Sequence, residues 1–190
     1  MTTSPATSIA DAARWLHDLA EQVAAVFRDL DELAAERGCY PLKGSHVNMS
    51  GGKSLDRPGE WMRTYFGRGY AELPERGSKE PSSLALIFEI WLAPGFECEE
   101  AVALGVRLDL ARPRTTDQIY DELWWKLGTF LAKPKAPNLD LGQVNFLSPQ
   151  DLTLWNPALE GSQARMLGTD LTCLTDRGTV NERLFRPLSR

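Results

Sequence analysis

From Ser8 to Gly38 the chain places apolar side chains at two interleaved seven-residue spacings, and few folds can house the helix this implies. Ile9, Leu16, Val23 and Leu30 hold one position, and Ala12, Leu19, Val26 and Leu33 hold the other, three residues later. These are the a and d positions of a heptad repeat. Ala13, Ala20, Phe27 and Ala34 widen the stripe beyond a bare coiled-coil seam, as in a helix laid on a core. Ser8 with Asp11 suits an N-terminal cap, and Gly38 suits a left-handed C-terminal cap. Such a helix is about 43 Å long, whereas a compact domain of this size has a radius of gyration of about 16 Å. It must cross the whole domain, or project and pair with a protein partner or a second copy. His17 falls on its polar side.

The rest of the chain must supply a surface for that helix. Ser83–Leu92 and Ala101–Leu110 read as strands of one antiparallel hairpin, joined through Pro94-Gly95 and an acidic tip of Glu97, Glu99 and Glu100. Leu84, Leu86, Phe88, Ile90 and Leu92 share a face of the first strand, as Val102, Leu104, Val106, Leu108 and Leu110 do on the second. Those apolar faces are expected under the first helix. Alternation then groups Glu89, Arg107 and Asp109 on the opposite side.

A second helix is expected over 115–133, capped by Thr115 with Gln118 and stopped by Pro134. A short strand follows at Gly142–Leu147, then a short helix from Ser148 to Trp155. A second hairpin is expected over 164–185, around Asp176-Arg-Gly178. The expected class is α+β, a mainly antiparallel sheet with the long N-terminal helix and the second helix packed on it. With 190 residues, 1–190 is expected to be one domain. Within it lie the helix at 8–38, a loop-rich segment at 39–80, a hairpin-helix-strand core at 83–147, and the short helix and hairpin at 148–190.

Residues 46–61, HVNMSGGKSLDRPGEW, contain the Gly52-Lys53-Ser54 ending of a phosphate-binding loop. The first glycine of that motif would fall at Val47, and Leu-Asp-Arg-Pro-Gly after Ser54 breaks a helix where one should begin. The preceding stretch, with Pro41 and Gly44, is also a poor buried strand. The segment reads as a surface loop. Beyond it, Trp61, Arg63, Tyr65, Phe66, Arg68 and Tyr70 interleave aromatic and cationic side chains. From Lys43 to Lys79 there are seven basic residues against four acidic ones, in a chain of formal charge −5. This is the candidate binding segment, for a protein partner or for single-stranded nucleic acid. A strand with a buried aromatic edge and a solvated arginine edge is the structural reading of the same pattern.

The order helix, strands, helix, strand over residues 9–147 resembles the core element order of the PD-(D/E)xK nuclease-like fold. That resemblance implies Mg²⁺ held by carboxylates, with Glu89 as the first, Asp109 as the second and Lys126 in the place of the usual lysine. The second strand carries Arg107-Leu-Asp109 and no D/E-x-K. Only His17 and His46 are present, the three cysteines are widely spaced, and no G-x-S-x-G occurs. These absences argue against zinc sites, disulfide frameworks and hydrolases of the nucleophile-elbow kind. The acidic balance argues against a surface built throughout to neutralise phosphates.

The expectation is thus a cytoplasmic, non-catalytic protein without cofactor or membrane span, of bacterial or phage origin, that binds a macromolecule as an accessory, immunity or inhibitor-type chain. The alternative is a nucleic-acid-binding protein or Mg²⁺-dependent nuclease using Glu89, Asp109 and Lys126.

Overall fold

The computed structural model describes residues 5–49, 65–92, 101–131 and 140–189. Helix α1 (Pro5–Ala35) begins three residues before Ser8, with proline in a first turn where its missing N–H costs nothing. It ends into Gly38, whose φ of 70° is the left-handed cap anticipated from the sequence. Strands β1 (Cys39–Pro41), β2 (Asn48–Met49), β3 (Tyr65–Glu72), β4 (Ser82–Trp91), β5 (Val102–Arg114), β6 (Val144–Phe146) and β7 (Gln163–Asp170) form one sheet. Its order is β1-β3-β4-β5-β7-β6 with β2 also on β3, and every pairing is antiparallel. The fold is α+β.

Both faces of this sheet are covered, and the register of β4 on β5 explains how. Leu86 lies opposite Arg107 and Glu89 opposite Leu104. Leu86, Phe88 and Ile90 of β4 therefore pack under α1, while Leu104, Val106, Leu108 and Leu110 of β5 point to the other side. The two apolar rows expected on one face are split between two cores. A one-residue change of register moves a whole row across a sheet, and residues 93–100, which join these strands, lie outside the described residues along with the expected turn and acidic tip.

The second core is roofed by α2, which runs over 116–131 in three pieces. A capping box of Thr115 and Gln118 starts Thr116–Gln118, a π-helical stretch covers Ile119–Trp124, and Leu127–Leu131 resumes the α-helix. The wide turn disturbs the usual ladder, and neighbours accept the consequence: Trp155 Nε1 donates to the Leu123 carbonyl at 2.9 Å and Asn156 Nδ2 to that of Glu122 at 2.7 Å. Both donors belong to the end of α3 (Pro149–Trp155) and its cap, and α3 is opened by Ser148 with Asp151. The π stretch also turns Trp124 onto β3. There Gly67 and Gly69 leave the room, because a Cβ on Gly69 would lie 2.9 Å from Trp124 Cε3 and 2.8 Å from Leu42 Cδ1.

The expected C-terminal hairpin is not formed. Residues 163–170 are β7, paired with β5 and β6, and the chain then turns helical. Asp176 caps a helix, here α4, running over 177–188 as Arg177–Val180, Asn181–Phe185 and Arg186–Leu188. Asp-x-x-Thr is a cap before an apolar stretch as readily as it is a turn: Asp176 accepts from the Thr179 N–H at 2.9 Å. Val180, Leu184, Phe185 and Leu188 of α4 are buried beside α1 on the first face. No helix among the described residues is long and apolar enough to cross a membrane.

Candidate functional site

Glu89, Arg107 and Asp109 do not share a face. The register that places Leu84 opposite Asp109 and Leu86 opposite Arg107 puts both charged residues on the α1 side, while Glu89 faces α2. Arg107 is taken up by Asp109, with Nε donating to Oδ1 at 3.0 Å and Nη2 at 2.8 Å, and its Nη1 reaches the Leu188 carbonyl at 3.2 Å. Lys126 is exposed at the break in α2. The grouping expected from alternation is corrected: the sheet separates the carboxylates of Glu89 and Asp109.

Glu89 instead lies in a cage. It is 3% exposed, and each oxygen accepts one indole N–H: Oε1 from Trp124 at 3.0 Å and Oε2 from Trp91 at 3.0 Å. Burial pushes its carboxyl up to about 7, and the two indole donors offset part of that rise. Tyr65 stacks on Trp91 at 5.0 Å between ring centroids. Its phenol is raised, first by burial and then by the charge of Glu89. Among the described residues no three His, Cys, Asp or Glu side chains gather in a way that could hold a metal ion.

The aromatic and arginine segment is also turned inward. Arg68 is 4% exposed and Tyr70 0%, so the expected solvated arginine edge is corrected to a buried clamp. Arg68 Nε and Nη2 each donate to an Asp31 carboxylate oxygen at 2.6 Å. Its Nη1 donates to the carbonyl of His46 at 2.9 Å and its Nη2 also to that of Gly44 at 2.8 Å. Tyr70 OH donates to Asp31 Oδ1 at 2.8 Å, and burial followed by the Asp31 charge pushes its pKa well above the usual phenol value. Four of the five N–H donors of the guanidinium are thereby used within the fold. Tyr65 and Phe66 are half-buried. Trp61 and Arg63, with Gly52, Lys53 and Ser54, lie outside the described residues.

The first half of α1 is open to a partner, as are the separate exposed side chains Trp125 and Phe146 elsewhere on the surface. Residues 10–18 are all exposed, Leu19 is half-buried, and burial is established at Val23. Trp15 is 63% exposed and Leu16 39%. Leu16 stands in the same heptad register as the buried Val23 and Leu30, so the stripe that packs on the sheet continues outward without a cover among the described residues. Trp15 borders that stripe. The sequence carried this signal, a tryptophan beside a heptad seam, although the repeat alone gives no sign of where the underlying core ends.

Comparison with protein-family models, with curated proteins and with solved structures returned no significant match.

Proposed function

We propose that the protein is a non-catalytic protein-binding chain, of an accessory, immunity or inhibitor type, that engages its partner through the outer half of α1. The observation that carries this reading is the uncovered apolar stripe at Trp15 and Leu16, continuous with one that is buried farther along the same helix. Large aromatic side chains beside aliphatic ones, held on a preformed helix, are what protein interfaces use as anchors. A nucleic-acid-acting alternative draws no support from Arg68 and Tyr70, which are buried in the clamp. It draws none from Glu89 and Asp109, which the sheet separates.

Affinity capture from the cells that make the protein tests the reading, using the intact chain and a Trp15→Ala/Leu16→Asp variant side by side. A stoichiometric protein retained by the first and lost from the second supports it. Equal retention by both, or retention of nucleic acid in place of protein, defeats it.

A further inference from the structure

A groove of about 390 Å³ runs between α1 and residues 171–180, with Leu19, Val23 and Val26 on one wall and Leu171, Leu174 and Val180 on the other. The first three are the heptad positions that lead outward to Leu16, so the groove and the uncovered stripe are one apolar surface. Its edges are acidic. Asp29 and Asp176 line it, and Asp18 stands on the same side of α1, beside Trp15, by helical spacing. Hydrogen bonds, chiefly from the Thr179 backbone N–H, hold the Asp176 carboxyl below the usual range, so it is charged at neutral pH. No basic side chain lines the groove among the described residues. Two cations near it turn to other carboxylates: Arg14 pairs with Asp11, and Arg177 turns to Glu32 and Glu36.

Resting on the protein-binding reading, we propose that this groove receives one amphipathic helix of a partner protein. Its apolar stripe lies on Leu19, Val23 and Val26, and lysines or arginines flank it toward Asp18, Asp29 and Asp176. The span from residue 19 to residue 29 fits about three helical turns, the helix-in-groove mode of recognition. Charge selects against a second copy of this chain. The outer half of α1 carries Asp11, Asp18 and Glu21 against Arg14 alone, which would set like charges along the acidic edges.

The test uses the full chain and fluorescence anisotropy with three labelled synthetic helices of about 20 residues, past the length at which isolated helices are marginal. One has a leucine stripe flanked by lysines, the second the same stripe flanked by glutamates, and the third the lysines with serine in place of leucine. The lysine-leucine helix is expected to bind at least about tenfold tighter than either control at low salt, with the advantage over the glutamate helix shrinking as salt rises. An Asp18→Lys/Asp29→Lys variant, altered at one exposed and one half-buried position, is expected to prefer the glutamate helix. Equal binding of the lysine-leucine helix and a control, no binding of any helix, or an unchanged preference in the variant overturns the inference. So does a concentration-dependent dimer that blocks peptide binding, which assigns the groove to a second copy. If the peptides fail while cellular capture still depends on Trp15 and Leu16, this inference falls and the protein-binding reading stands. If the lysine-leucine helix binds as described while capture is indifferent to those two residues, the groove stands and the outer half of α1 loses its role.

Discussion

Replacing Glu89 by glutamine puts the indole cage to a quantitative test. The carboxyl has an ordinary value of 4.5 and rises to about 7 in the fold, with burial as the first cause. A folded-state pKa above the unfolded one means that the contribution of Glu89 is fully present below pH 4.5 and is lost as pH rises through about 7. The gap between the two values corresponds to a loss of about 3 kcal/mol across that window. Glutamine removes the titration at a different cost. Its carbonyl can accept from one indole, but its NH₂ meets the other indole N–H, leaving buried donors face to face at about 1–3 kcal/mol. The variant is therefore expected to be less stable than the natural chain near pH 4.5, and as stable or more so near pH 8. Urea unfolding followed by circular dichroism, repeated at half-unit steps of pH, reads this directly. Subtracting the variant from the natural chain removes the titrations common to both. A stability difference that stays constant from pH 4.5 to pH 8 would refute the reasoning, because it would mean that Glu89 ionises in the fold as it does in water.

Three further outcomes follow from the packing. Arg68→Ala takes the bidentate cation from the half-buried Asp31 and empties the space of a buried side chain, and should cost about 1.5–3 kcal/mol in chemical unfolding; a loss below about 1 kcal/mol would show that the clamp does not hold in solution. Gly69→Ala drives a methyl group against Trp124 and Leu42 and should cost about 1–3 kcal/mol, with a blue- or red-shifted tryptophan emission marking the displaced ring; unchanged stability and emission would contradict the close approach. Trp15→Ala should leave the unfolding midpoint within about 0.5 kcal/mol of the natural chain, since so exposed a ring supports little of the fold, and a larger loss would place Trp15 in the core.

Local patterns in the sequence translated well where the signal and its partner sit close together. The heptad stripe, the left-handed Gly38, the Thr115 and Ser148 caps and the strands around Phe88 and Val106 are all read from residues a few positions apart. Asp176 with Thr179 is equally local, but Asp-Arg-Gly between strand-like stretches describes a turn as readily as a cap. The distant relations were not readable. Arg68 is buried because Asp31, thirty-seven positions earlier, waits for it on α1, and nothing in the 61–70 segment announces that partner. The face that Glu89 shares was set by the register between β4 and β5, which alternation within each strand leaves free. Gly67 and Gly69, two apart in a strand, did advertise a bulky neighbour over the backbone, but only the π turn of α2 shows that it is Trp124.

The clamp on Asp31 gives α1 a mechanical character. One end of the rod is bolted to β3 through Arg68 and Tyr70, and the other end holds Trp15 about 24 Å away along the axis. A partner seated there is held at a set distance and a set azimuth from the sheet, because each helical residue advances the rod and turns it by about 100° together. Loss of a whole turn between Trp15 and Asp31 would draw the partner inward with nearly the same face presented. Loss of two residues between Trp15 and Leu19 would swing that face to the far side of the rod while leaving the core contacts of Val23, Val26, Phe27 and Leu30 in place. The inner half of α1 would thus serve as both ruler and protractor for a partner bound by the outer half.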